Sequence, residues 1–104
     1  MILETIILAS IALTYISAAI YIAFLRFAEI YQWFANRRSV SSRDRTRLGF
    51  TLQELMKNGD YKTVQGVFNS AQQVVEPGAR SIISKQIDDE FASYHDNKAL
   101  VVYE

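Results

Sequence analysis

The chain has 104 residues, with 11 basic residues, 11 acidic residues, one His and no Cys. This length allows one small domain, and the absence of Cys excludes a disulfide framework, a Cys-based zinc site and thiol catalysis. The balanced charge is unevenly distributed, because residues 26–47 carry a net charge of +4 and residues 48–104 carry −3. A basic segment therefore precedes a mildly acidic one.

The most apolar stretch runs from Thr5 to Leu25 and contains no charged residue, no Pro and no Gly. An α-helix of these residues would extend about 30 Å, which is the thickness of the hydrocarbon core of a bilayer. The sequence therefore predicts a transmembrane helix over residues 5–25, preceded by a short N-terminal flank of residues 1–4.

Arginines follow this predicted span, and no Lys or Arg precedes it. Because basic residues near the ends of a span are retained on the cytoplasmic side, we expect a single-pass protein with its N-terminus outside and its C-terminus on the cytoplasmic or equivalent inner side. We expect this basic collar to bind anionic lipid headgroups, whereas the acidic segment that follows disfavours nucleic acid as the alternative partner. The collar consists of Arg26, Arg37, Arg38, Arg43, Arg45 and Arg47.

One stripe of the predicted span carries small and hydroxylated residues, because successive helical residues are about 100° apart. Such a stripe favours packing against another membrane helix. In the alternative, the hydroxyls bond to carbonyls of their own helix and face lipid. The stripe consists of Ser10, Thr14, Ser17, Ala18 and Tyr21.

The helix is predicted to continue past the membrane over residues 26–36, because nothing in this segment breaks a helix. Aromatic residues in and before it are typical of the headgroup layer, where a ring is half apolar and half wet. The alternative is that these rings pack against another subunit. The aromatic stripe consists of Phe24, Phe27, Tyr31, Trp33 and Phe34.

Residues 37–47 are rich in Arg and Ser and lack apolar periodicity, which predicts a flexible linker. Ser39, Ser41 and Ser42 lie beside arginines and are candidate phosphate acceptors. Phosphorylation there would cancel part of the collar's charge.

Residues 48–104 are predicted to form a small domain of three helices and an extended tail. Thr51 and Glu54 have the spacing of a capping box, Gly59 favours the end of a helix, and Asp60 favours the start of the next. The apolar, strand-like tail is expected to pack on the helices or to add to the sheet edge of a partner. The predicted helices span residues 52–58, 61–75 and 79–95, and the tail spans residues 97–104.

The segment LQELMKNGDYKTVQGVFNSA resembles one helical hairpin of the tetratricopeptide type. The likeness lies in its Asn-Gly-Asp turn and in the spacing of Tyr and Ala. It covers about 20 residues and has no second repeat, so it implies an antiparallel helical hairpin and no family is assigned.

The chemically active residue types do not form a recognisable motif. His95 is the single His and has no second His at the spacing of a zinc site. Asp88, Asp89 and Glu90 are adjacent, so on a helix their side chains point about 100° apart and do not face each other as an acid/base pair. We therefore predict no catalytic, cofactor-binding or metal-binding residue, and a protein that is not an enzyme.

Taken together, these patterns predict an all-α protein in which one N-terminal transmembrane helix extends past the membrane to a basic linker and a small three-helix domain with an extended C-terminal tail. We expect a structural or accessory subunit of a larger membrane-associated assembly, with the lipid bilayer and other subunits as partners and with no cofactor. The alternative is a membrane-anchored regulatory module that binds a cytoplasmic or membrane partner transiently.

Overall fold

A computed structural model describes residues 2–13, 16, 18–38, 46–96 and 98–103. The predicted all-α fold is wrong, because most of the elements within this part of the chain are strands of one mixed sheet. The helices are α1 (Ile2–Leu13), α2 (Phe27–Arg38) and α3 (Asp89–Tyr94). The strands are β1 (Ile20–Leu25), β2 (Arg47–Leu55), β3 (Tyr61–Asn69), β4 (Val74–Val75), β5 (Arg80–Ile87) and β6 (Leu100–Tyr103).

The strands are ordered β1-β5-β3-β2-β6, and the short β4 pairs with β3. β1 runs parallel to β5, and the other pairs are antiparallel. The β2–β3 hairpin at the centre turns at residues 56–60, where Gly59 has a φ of 92°. Asn-Gly is a strong hairpin signal because Gly adopts positive φ without strain. The segment that resembled a helical hairpin is thus antiparallel, but it is built from strands.

Helices cover both faces of this sheet and give three layers. Along β3, Val64 and Phe68 face one core, whereas Val67 faces the other. The first core, on the α1 side, contains Ile7, Phe50, Val64, Phe68, Val75, Ala79 and Leu100. The second core, on the side of α2 and α3, contains Leu25, Ile30, Phe34, Val67, Ile82 and Phe91.

Burial on both faces explains why the predicted helices of the C-terminal domain are wrong. Residues 63–68 of β3 are all buried, so the strand lacks the alternation of a half-exposed sheet. A strand buried on both faces cannot be distinguished from a buried helix by periodicity alone. The predicted helices 52–58 and 61–75 correspond to β2 and β3 with their turns, and within 79–95 only α3 is helical.

Two glycines of the central hairpin leave room for aromatic rings that pack against it. A Cβ on Gly66 would lie 2.9 Å from the Phe50 ring and 3.0 Å from the Cβ of Ala79. A Cβ on Gly49 would lie 2.7 Å from the Phe34 ring of α2. Both positions therefore require the absence of a side chain, one on each face of the sheet.

The predicted transmembrane helix over residues 5–25 is also wrong. α1 ends at Leu13, and the last six residues of the apolar stretch form β1. Within the described residues, no helix is both long enough and apolar enough to cross a bilayer. This finding overturns the single-pass topology and the membrane localisation, and with them the membrane-subunit function and its membrane-anchored alternative, which both depend on the span.

Strand formation at residues 20–25 has a physical reason. Ile20, Tyr21, Ile22 and Phe24 are β-branched or aromatic, and such residues favour a strand where a sheet edge is available. β5 offers that edge, and Ile20 pairs with Ile82 in parallel register. The pairing satisfies main-chain groups of β1 that a continued helix would have satisfied internally.

A single carboxylate fixes the helices of the second core. Asp88 Oδ1 accepts a hydrogen bond from Phe91 N of α3 at 2.9 Å, and Asp88 Oδ2 accepts one from Phe27 N of α2 at 3.0 Å. Asp88 N also donates to Leu25 O at 3.1 Å. Asp88, which falls within the predicted helix 79–95, therefore caps two helix N-termini and holds the end of β1.

The C-terminal tail, expected to find no partner strand within its own chain, forms β6 and pairs antiparallel with β2. Thr51 pairs with Val101, and Gln53 N donates to Ala99 O at 2.8 Å. Thr51, which was assigned to a helix cap, is thus an interior residue of β2.

The double cap predicts that Asp88→Ala lowers the free energy of unfolding by about 2 kcal/mol, because each lost N-cap bond costs about 1 kcal/mol. The matched control is Asp89→Ala, which removes an exposed carboxylate of the same helix turn and is expected to cost less than about 1 kcal/mol. Urea unfolding followed by Trp33 fluorescence measures both changes. Equal losses in the two variants would contradict the double cap.

Candidate protein-binding surface

The residues of the predicted packing stripe do not share one face in the structure. Ser10 lies in α1, where its buried Oγ accepts a hydrogen bond from Val75 N at 2.8 Å. Ala18 precedes β1 and is exposed, and Tyr21 lies in β1. Thr14 and Ser17 lie outside the described residues.

Most of the predicted aromatic stripe packs inside the chain. Phe27 stacks on Tyr94 at 4.5 Å between ring centroids, and Phe34 lies 5.4 Å from Tyr103. The half-buried Trp33 meets Phe34 edge to face at 5.4 Å. The two remaining members of the stripe, Phe24 and Tyr31, are exposed on β1 and α2.

The described arginines of the predicted collar do not form one cluster. Arg26 is exposed between β1 and α2, with its guanidinium carbon 5.3 Å from the centroid of the Phe24 ring. Arg47 lies in β2 and makes two 2.8 Å bonds to the Glu76 carboxylate. Arg37 and Arg38 end α2, and their side chains lie outside the described part of the chain. Arg43 and Arg45 also lie outside it, as do Ser39, Ser41 and Ser42.

Hydrogen bonds among largely buried polar groups connect β2, the end of α3 and β6, and no sequence pattern indicated them. Thr51 Oγ1 lies 2.7 Å from His95 Nε2 and 2.8 Å from Tyr103 Oη, and His95 Nδ1 lies 3.0 Å from Lys98 O. Because a carbonyl only accepts, His95 Nδ1 carries the proton and Nε2 accepts from the Thr51 hydroxyl. Tyr103 then donates to Thr51 Oγ1.

Burial sets the protonation states of these polar groups. Desolvation lowers the pKa of His95, which favours the neutral imidazole that accepts from Thr51. Burial raises the pKa of Tyr103 to about 12, so its hydroxyl stays a donor at neutral pH. Thr51 is fully buried and His95 is nearly so. The Thr51 hydroxyl is therefore held between two hydrogen-bond partners and is not exposed to solvent.

Two further observations concern metal binding and ligand binding. Within the described ranges, no group of three or more His, Cys, Asp or Glu side chains could hold a metal ion. A cleft of 430 Å³ lies at the end of α2, and the Arg47–Glu76 ion pair forms part of its wall together with Trp33. In this ion pair, the Arg47 guanidinium and the Glu76 carboxylate compensate each other's charge.

The most distinctive surface is the outer edge of β1. Its sequence IYIAFL has no charge and no Pro, although natural edge strands are usually protected by such residues. Ile20 is 47% exposed, Tyr21 75% and Phe24 39%. Within the described part of the chain, no strand pairs with this edge. At the opposite edge, the four residues of β6 are buried or half-buried.

A groove of 230 Å³ adjoins this edge. It is lined by the small Ala23, by Asp60 and Lys85, and by Ile83. Ile83 is half-buried and belongs to neither core. Tyr21 pairs with Ile83 in the β1–β5 register and also lines the groove. We call the β1 edge and this groove together the β1 surface.

Comparisons of the chain with protein-family models, with curated proteins and with solved structures found no match. Function is therefore inferred from the geometry of the β1 surface. Sequence patterns had assigned Tyr21 to helix packing and Phe24 to the headgroup layer, with packing against another subunit as the alternative for Phe24. They did not indicate that Asp60, Ile83 and Lys85 lie beside these residues. Only the parallel pairing of β1 with β5 brings those residues to the strand.

Two fully buried threonines in neighbouring strands give a matched pair of variants. Thr63 Oγ1 has no hydrogen-bond partner among the described residues, so Thr63→Val is expected to raise the free energy of unfolding by about 1 kcal/mol. Thr51→Val leaves two buried partners unpaired and is expected to lower it by about 1–3 kcal/mol. Urea unfolding measures both, and shifts of the same sign would contradict this assignment.

The lowered pKa of His95 makes stability depend on pH. The unfolded chain binds a proton near pH 6.5 and the folded chain does not, so the free energy of unfolding falls as pH decreases through this value. We expect wild-type protein to unfold at lower urea concentration at pH 5.5 than at pH 7.5. His95→Gln, whose amide oxygen can still accept from Thr51, is expected to reduce this difference. An unchanged pH dependence in the variant would exclude His95 as its source.

Proposed function

We propose that this chain is a non-enzymatic protein-interaction domain that binds a protein partner through the β1 surface. The observation that carries the proposal is the exposed edge of β1, which is apolar and has no charged residue. An edge of this kind offers unpaired main-chain donors and acceptors together with apolar side chains. A strand from a partner would bond to these main-chain groups and cover the apolar side chains.

Strand addition gives each part of the surface a role. The main chain of β1 would bond to the partner strand, which supplies affinity without selecting a sequence. The groove would select the partner, because it accepts one side chain beside the edge. Its volume of 230 Å³ is below the range of about 300–1,000 Å³ that is typical of small-molecule sites.

A protein partner fits this edge better than lipid or nucleic acid. Lipid tails offer no hydrogen bonds to the main chain of an edge strand, and β1 itself carries no positive charge for phosphates. The binding of anionic headgroups by the arginines stays a prediction, because most of their side chains lie outside the described residues.

The placement of the polar groups supports a role other than catalysis. Thr51 and His95 are buried and bonded to each other, and Arg47 is held by Glu76. A catalytic group needs access to a reacting atom within hydrogen-bonding distance. The exposed part of β1 instead offers apolar contact area.

Site-specific photocross-linking in the source cells tests this proposal. A benzoylphenylalanine in place of Tyr21 is expected to give a protein adduct of defined mass, because the ring at this position would lie within the interface. The matched control is the same residue in place of Tyr31, which is 65% exposed on α2 and is not among the residues that form the β1 surface. Absence of adducts at Tyr21, or equal adducts at both positions, would overturn the proposal.

A further inference from the structure

The sequence of β1 is complementary to itself when two copies run antiparallel. A two-fold axis between antiparallel strands is perpendicular to the sheet, so it leaves each residue on the same face in both copies. Residues that oppose each other across the axis must therefore be an even number of positions apart, because side chains alternate between faces. This restricts the pairing to registers centred on a residue.

The register centred on Ile22 places large side chains opposite suitable partners. Ile22 opposes Ile22 of the second copy, Tyr21 opposes Ala23, and Ile20 opposes Phe24. Aromatic and β-branched residues are favourable cross-strand pairs. The register centred on Ala23 would instead place Ile20 opposite the charged Arg26, which costs desolvation of the guanidinium.

The groove accommodates the ring that this register brings to it. Tyr21 of one copy would lie above Ala23 of the other, whose small side chain lines the groove. Ile83 offers apolar contact to the ring, and Asp60 and Lys85 stand where a phenolic hydroxyl can bond. Tyr21, the most exposed side chain of β1, would thus enter the groove of the other copy.

On this basis, we propose that the chain forms a two-fold dimer in which two β1 strands pair antiparallel about Ile22 and each Tyr21 occupies the groove of the other copy. This inference rests on the proposed function and names its partner. The pairing would join two sheets into one and add about four to six main-chain hydrogen bonds. It would bury the exposed side chains of Ile20, Tyr21 and Phe24 on both copies.

Pairing of β1 with β1 also limits the assembly to two copies. If β1 instead added to β6 of another copy, each added copy would expose a new β1 edge, and the contact would propagate into fibres. The four residues of β6 are fewer than the six of β1 and expose less side-chain surface. The β1–β1 contact therefore matches the two partners in length and leaves no free β1 edge.

A single introduced thiol tests the register, because the chain contains no cysteine. Under mild oxidation, full-length Ile22→Cys is expected to form a disulfide-linked dimer, since directly opposed Cα atoms lie about 4.5–5.5 Å apart, within disulfide range. The matched control is Ile20→Cys, which is more exposed but lies about 13 Å from its own copy in this register. It is expected to remain unlinked.

Light scattering of the full chain tests the dimer without a cross-link. The expected mass is twice 11.9 kDa, and Tyr21→Lys is expected to raise the dissociation constant of the dimer at least about tenfold by placing a charge in the groove. Tyr31→Lys is the control and is expected to leave the mass unchanged.

The outcomes separate the dimer from the proposed function. Selective linking of Ile22→Cys together with a dimeric mass supports the inference. The inference is overturned if Ile20→Cys links as well as Ile22→Cys or if Ala23→Cys links preferentially. It is also overturned if the wild-type chain is monomeric or forms fibres. If the chain is monomeric while Tyr21 still cross-links to a different protein in cells, self-pairing fails and the proposed function stands. If Tyr21 forms no adduct and the chain is monomeric, both fail.

Discussion

The structure depends on covering the central strand β3 on both faces. Residues 63–68 are buried without interruption, so neither face of this strand meets water and each needs its own layer of apolar side chains. α1 supplies one layer, and α2 with α3 supplies the other. Gly49 lets the Phe34 ring of α2 lie close to the hairpin, and Gly66 leaves room for the Phe50 ring on the other face. The Asp88 carboxylate holds the two helices of the second layer at their N-termini.

The same constraint explains what sequence patterns could predict of the fold. The turn around Gly59 follows from Asn-Gly, and the strand character of residues 100–103 follows from their β-branched and aromatic side chains. The strands beside the turn were not predictable from periodicity, because burial of both faces of β3 removes the alternation that identifies a strand. Val64 and Phe68 also lie four residues apart, which satisfies a helical period equally well.

The candidate surface was predictable only in part, for a related reason. Tyr21 and Phe24 are large apolar residues within the uncharged stretch of residues 5–25, so composition alone indicates that they need a partner. Asp60 and Lys85 come from other parts of the chain and reach β1 through a parallel crossover, which leaves no local signal. The same holds for Thr51 and His95, whose hydrogen bond joins residues 44 positions apart.

The apolar stretch of residues 5–25 requires burial whether it forms a membrane span or, as in the structure, contributes α1 and β1. α1 meets this requirement by packing its Ile7 face on the sheet. β1 is only partly buried, because it lies at the end of the sheet and pairs with one neighbouring strand. Its other edge and several of its side chains remain exposed. A bilayer cannot satisfy the hydrogen bonds of that edge, whereas another strand can. The exposed half of β1 is therefore better suited to pairing with a protein strand than to contact with lipid, and a strand with the same sequence satisfies two such edges at once.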